Sequence, residues 1–296
     1  MPLKRLCRFG THKEADPVLS SKTMNRKLQF MLKDRIAYKY FECCRLEKES
    51  GAVITAKDGD KESFPYGRYA VILLGPGCSI THAAVSAISQ AGCGILWCSK
   101  NKFHLYQAGS PLSGSTALLR KQAKICSSER LSLQAAKRMF LIRYPAESTA
   151  GMTQRQLLCI EGRKMQEAYQ SLAAKHNIEW SGRNYNHKDY DSNEPIQKAI
   201  TISNQCLYAV VHAVVLSLGM SPGLGVIHKR NERALVFDIA DLYKEKLTLP
   251  YVFKRVGETG ALDEKQIYED LEILFSREKI VRQIIKDIKT IFIEEP

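Results

Sequence analysis

Gly109-Ser-Pro-Leu-Ser-Gly-Ser115 divides this 296-residue chain into two stretches of different periodicity. Glycine, proline and serine over seven residues carry no apolar repeat and read as a connection. Upstream the signals are those of strands. Arg35-Ile-Ala-Tyr-Lys-Tyr-Phe-Glu42 alternates and is rich in aromatic residues, and Arg68-Tyr-Ala-Val-Ile-Leu-Leu74 reads as a strand buried on both faces. Gly51-Ala-Val-Ile-Thr-Ala56 runs into Lys57-Asp-Gly-Asp60, a hairpin-turn signal. After Pro76-Gly77, Ser79 or Thr81 can cap an alanine-rich helix from His82 to Gln90, because a hydroxyl there accepts from free backbone N–H groups. Gly94–Cys98 and Phe103–Tyr106 complete the strands.

Downstream the apolar residues recur every three to four positions over 118–124, 129–144, 153–176, 195–218, 238–246 and 264–293, the spacing of helices packed on one face. The expected fold class is therefore α+β. A small N-terminal β-rich part with one helix covers residues 26–108, a linker 109–114, and a larger all-helical part 115–296, with residues 1–25 as a polar N-terminal arm. The length suffices for two such cores. No run of 18 or more apolar residues is present. The nine cysteines form no Cys-x-x-Cys pair and sit mostly in apolar runs, so they read as reduced core thiols of a cytoplasmic protein.

The chain carries 44 lysines and arginines against 31 acidic residues, a net charge of +13. Residues 1–108 alone hold 17 against 9, so the excess is spread over both parts. That is the electrostatic footprint of a polyanion binder.

Within the helical part, Gly219-Met-Ser-Pro-Gly-Leu-Gly-Val-Ile-His228 is a loop that breaks a helix and delivers an imidazole. Asp238 follows ten residues later among apolar neighbours, and Asp241 comes three further on. At that spacing two helical side chains share a face, and paired carboxylates repel unless a cation or a shared proton lies between them. On 153–176, Glu161 falls in the apolar stripe of Leu158, Met165, Tyr169 and Leu172, where an ionised carboxylate is costly unless paired, for instance with Arg163, or metal-bound. Glu161, His228, Asp238 and Asp241 together are a donor set for Mg²⁺ or Mn²⁺. Such an ion beside a basic surface points to phosphodiester chemistry on nucleic acid.

Lys33-Asp-Arg35, Pro76-Gly77 with Thr81-His-Ala-Ala-Val85, Arg138-Met-Phe-Leu-Ile-Arg-Tyr144, Ile160-Glu-Gly162, Cys206-Leu-Tyr208, Gly225-Val-Ile-His228 and Phe237-Asp-Ile-Ala-Asp241 extend this pattern over both parts. In these stretches the chain resembles subunit one of the CRISPR-associated integrase family, of the type I-E kind. The resemblance implies a β-rich dimerisation domain and a helical, metal-dependent catalytic domain. It implies the metal ligands Glu161, His228 and Asp238, with Asp241 as a fourth catalytic residue. It also implies homodimers that assemble with a small subunit two into a heterohexamer. The expected partners are double-stranded prespacer DNA with single-stranded 3′ ends and CRISPR leader–repeat DNA, joined by transesterification. By the same resemblance Tyr208, Lys244 and Arg183 would contact DNA; Arg163, Lys229 and Arg230 are added on charge alone. Cys78-Ser79 and Ser86 stand where relatives carry arginines. The same acids and histidine would also serve a stand-alone endonuclease on branched or single-stranded DNA, with water as nucleophile.

Overall fold

A computed structural model describes residues 32–57, 59–99, 105–109, 115–186 and 189–293. The proposed arm, all but Gly109 of the proposed linker, and Cys7 lie outside them. Gly109 is the last residue of a strand.

Among the described residues, eight strands form two four-stranded sheets. The first has the order β1 (Ile36–Phe41), β5 (Tyr69–Leu74), β7 (Gly94–Cys98), β8 (Leu105–Gly109); the first three run parallel and β8 antiparallel. The second has the order β4 (Asp60–Ser63), β3 (Ala52–Lys57), β2 (Arg45–Glu49), β6 (Ser79–Ile80). The hairpin signal is correctly placed, with Lys57 paired to Asp60 and Gly59 at φ +92°. Strands β2 and β4 were not legible: β2 is charged at four of its five positions and β4 is exposed throughout. Helix α1 (His82–Gln90) takes its cap from Thr81, whose hydroxyl accepts from the Ala84 N–H at 3.3 Å.

The alternation along β5 decides how the parts meet. Ile72 and Leu74 face a small core with Leu46, Val53 and Ile88 from the second sheet and α1. Val71 and Leu73 face the helices, in one continuous core that reaches Phe292. The Tyr38 hydroxyl of β1 donates to the Tyr268 carbonyl at 2.6 Å and crosses the same boundary.

The helices are α2 (Ala117–Cys126), α3 (Glu129–Arg143), α4 (Gln154–Lys175), α5 (Pro195–Ser217), α6 (Ala234–Tyr243), a π-helical turn (Lys244–Thr248), α7 (Leu249–Thr259), α8 (Glu264–Arg277) and α9 (Ile280–Phe292). Helix α5 is the axle: it packs on β5, β7, α6, α7, α8 and α9. It is long and apolar enough to cross a membrane, but 78% of its most apolar stretch is buried inside the fold.

Three boundaries differ from the sequence expectation. Helix α6 starts at Ala234, not at Asp238. Residues 249–259 form a helix, with Pro250 harmless in the first turn and Gly260 closing it at φ +64°. The expected 264–293 helix is two, broken where Lys279 adopts φ +50°. The thiols are also less uniformly buried than expected. Cys44, Cys93, Cys98 and Cys206 are buried, whereas Cys43 and Cys159 are exposed.

Candidate metal centre

The loop before α6 is built by donors from three helices. Buried Gln122 donates to the carbonyls of Ser221 (2.7 Å) and Leu224 (2.8 Å) and accepts from the Ser221 N–H (2.9 Å). Ser132 of α3 and Gln154 of α4 each donate to the Val226 carbonyl at 3.3 Å. Gly225 fits only as glycine, because a Cβ there would stand 2.2 Å from the His228 carbonyl oxygen and 2.9 Å from an Asp238 oxygen.

Asp238 closes this loop. Its Oδ2 accepts the backbone N–H groups of Val226 (2.5 Å) and Ile227 (3.0 Å). Its Oδ1 accepts the N–H of His228 (3.0 Å) and meets the His228 Nδ1 at 2.7 Å. The carboxylate is fully buried, and three backbone donors and an imidazole use its lone pairs. Asp238 anchors the loop and holds the imidazole through its Nδ1, so that Nε2 is the ring nitrogen not bound to it. The same hydrogen bond raises the His228 pKa above its ordinary value, against the opposing effect of burial.

Asp241, one turn on, takes the other role. It is only partly buried and pairs with Lys244 Nζ at 2.5 Å. Glu161, from α4, hydrogen-bonds to Arg143 at the end of α3, not to Arg163. Arg163 points elsewhere on α4, 3.8 Å from Glu167, with both side chains exposed. The stripe divides between core and cavity: Met165, Tyr169 and Leu172 pack against the core, and most of its length also walls a cleft. Only Leu157 and Ala173 of α4 are buried, while Leu158, Glu161, Met165 and Tyr169 line a cleft of about 350 Å³. His228, Asp238, Asp241 and Lys244 line the same cleft. Burial raises the Glu161 pKa; Arg143 opposes that and Asp241 adds to it.

This donor set suits a hard divalent cation, with two carboxylates and one imidazole on one cleft. Each of these two carboxylates is balanced by a cation of the protein, Glu161 by Arg143 and Asp241 by Lys244. As they stand, no three His, Cys, Asp or Glu side chains among the described residues are gathered closely enough to hold an ion. The two carboxylates are drawn to their cationic partners instead.

The residues expected on DNA divide into two groups. Tyr208 is half-buried, edge-on to Phe237 at 4.9 Å, with Lys244 Nζ 4.8 Å from its ring. Lys229 and Arg230 are exposed just beyond His228. Arg183 is spent internally: its guanidinium bonds to the Gln197 carbonyl (3.0 Å), the Gln197 side chain and Thr201. Sequence reasoning missed Gln122, Arg143 and Glu245. Arg143 lay within a quoted motif, but nothing in a run of charged and apolar residues marks which cation turns inward.

The family model "CRISPR associated protein Cas1" matches residues 41–144 and 142–289. A CRISPR-associated endonuclease Cas1 of Geobacter sulfurreducens is 30% identical over 261 residues, covering 88% of this chain and 85% of that protein. One from Clostridium sp. (strain SY8519) is 28% identical over 267 residues, covering 88% and 87%. The fold superposes on a crystal structure of a TtCas1–DNA complex with a TM-score of 0.79 at 28% identity, covering 88% of this chain and 92% of that one.

Proposed function

The chain belongs to the CRISPR-associated protein Cas1 family, and on that premise we propose that it is a divalent-cation-dependent integrase of spacer acquisition. It joins the 3′-hydroxyl ends of prespacer DNA to leader–repeat DNA by transesterification. The observation that carries this reading is the convergence of Glu161, His228 and Asp241 on one cleft, with Asp238 orienting the imidazole. Relatives over most of the chain's length are named endonucleases, and a similar fold has been solved bound to DNA.

Glu161, the Nε2 of His228 and Asp241 would hold Mg²⁺ or Mn²⁺. When bound, that ion neutralises charge on the scissile phosphodiester and makes the attacking hydroxyl more acidic. The chain's own part is placement. Asp238 keeps the imidazole in one tautomer. Tyr208 offers a ring face and Lys244 a cation beside the reacting strand. Exposed Lys229 and Arg230 continue the positive surface from the cleft to the DNA backbone. Arg183 and Arg163 are weaker candidates, being paired within the protein. Homodimerisation through the β-rich part and assembly with a small second subunit complete the cytoplasmic complex, as in the type I-E arrangement.

The test is strand joining by purified chain with its small partner, a prespacer with 3′ overhangs, a leader–repeat target and Mn²⁺. Glu161→Ala and His228→Ala are each expected to lower the rate at least about a hundredfold, since each removes a ligand of an ion that supplies several kcal/mol. A loss below about tenfold in the double variant refutes the reading. Cleavage that needs neither partner nor prespacer would point to a stand-alone endonuclease.

A further inference from the structure

Arg143 is the most deeply buried cation at the cleft, with its side chain 5% exposed, and it touches two carboxylates from different elements. Its Nη1 binds Glu161 closely, its Nη2 stands 3.5 Å from Glu245, and its Nε is buried with no hydrogen-bond partner. Glu245 is fixed in turn, because the Tyr144 hydroxyl donates to it at 2.8 Å. Glu245 sits in the π-helical turn Lys244–Thr248, which directly follows the helix that carries Asp241, and such wide turns are rare and recur at functional sites.

A buried guanidinium cannot be left without a counter-charge, since removing one partner of a buried pair is far more costly than exchanging it. Glu161 therefore cannot turn to a metal ion unless Arg143 has another acid to receive it. Glu245 is placed to be that acid. Arg's flat fork can pivot between two carboxylates without leaving its pocket, which a lysine cannot do in the same way.

We propose that Arg143 is a positioning residue that holds Glu161 away from the metal site and is handed to Glu245 when a divalent cation binds. The inference rests on the metal-dependent reading above. The two cationic occupants of Glu161, guanidinium and metal, compete, and Glu245 sets the terms of the competition. The consequence is a pair of opposite signs. Removing Arg143 frees the ligand and tightens metal binding. Removing the charge of Glu245 strengthens the hold of Arg143 on Glu161 and weakens metal binding. A merely structural role for this cluster would weaken binding in both variants.

The experiment is calorimetric titration of the full-length, DNA-free protein with MnCl₂ at pH 8, checked by the electron paramagnetic resonance signal of free Mn²⁺. Glu161→Ala is the reference: if the unaltered protein does not bind Mn²⁺, or Glu161→Ala binds as well, the metal reading itself fails. If the reference holds, Arg143→Met is expected to bind Mn²⁺ at least about fivefold more tightly and Glu245→Gln at least about fivefold more weakly, the range of an ordinary coupling between two sites. Arg143→Lys should fall between Arg143→Met and the unaltered protein. Equal-sign effects, or no change in either variant, overturn the proposal. Should Arg143→Met fail to fold, Glu245→Gln decides alone, and unchanged or tighter binding there is sufficient to discard the idea.

Discussion

At the scale of residues, two aspartates three positions apart have different partners, Asp238 the His228 loop and Asp241 the Lys244 ammonium, and on the proposed function different jobs. Asp238 is structural in its immediate action. Asp238→Ala leaves three buried backbone N–H groups and an imidazole without an acceptor, each costing on the order of 1 kcal/mol or more. The expected result is a loss of about 3–5 kcal/mol in urea unfolding, with metal binding lost as a consequence. Asp241→Asn should keep most of the stability and lose Mn²⁺ affinity, and the pair of measurements separates anchor from ligand. Gly225→Ala should behave like Asp238→Ala, because the added methyl would press on the carbonyl of His228 and on the Asp238 carboxylate. The sequence singled out both acids. It did not show which of them is spent on backbone donors, because a pattern of spacings says which side chains share a helix face and nothing about which backbone N–H groups lie opposite them. The partner of Glu161 was open for the same reason: Arg163 is two residues away in sequence, Arg143 eighteen, and only the packing of α3 against α4 brings the latter in.

At the scale of elements, α4 and α5 carry the site by different means. Helix α4 is held at its start by a reciprocal cap, in which Thr153 accepts from the Gln156 N–H and the Gln156 side chain accepts from the Thr153 N–H. Thr153→Ala should cost about 1 kcal/mol. Helix α5 is a core helix with a buried histidine. His212 is 8% exposed, its Nδ1 has no hydrogen-bond partner, and burial, helped by the Arg233 charge, pushes its pKa down to about 4. A histidine whose folded pKa lies below its unfolded value of about 6.5 adds stability that is present above pH 6.5 and is lost as pH falls toward 4. Between pH 7 and pH 5 this single group should remove about 2 kcal/mol. His212→Gln should flatten that part of the pH dependence, measured by urea unfolding at both pH values. The apolar period of α4 was legible, but its direction was not. A stripe facing a cleft and a stripe facing a core have the same spacing, and Leu158, 41% exposed, belongs to the first kind.

At the scale of the whole molecule, one apolar core runs from the helix-facing side of the first sheet to Ile291 and Phe292 of α9. Phe253, fully buried in that core, should cost about 3–5 kcal/mol when replaced by alanine. The loss should register equally in probes on β5 and on α8, as one transition. The net charge of +13 also acts at this scale. DNA affinity is expected to fall linearly in log–log terms with added salt, and Lys229→Ala or Arg230→Ala should each lower the slope by about one.

The amino-acid sequence by itself determined the division into strands and helices, the turn at Gly59, the basic excess and the three acids and one imidazole singled out as the candidate site, because periodicity, turn chemistry and charge are local properties of the chain. Tertiary structure alone decided that Asp238 is spent on the His228 loop while Asp241 pairs with Lys244, that Arg143 stands between Glu161 and Glu245, and that Arg183 is spent on α5. Those outcomes depend on which donors meet once the helices pack, from ten residues apart for His228 and Asp238 to 102 apart for Arg143 and Glu245, and a hydrogen bond is selected by that meeting and not by spacing along the backbone.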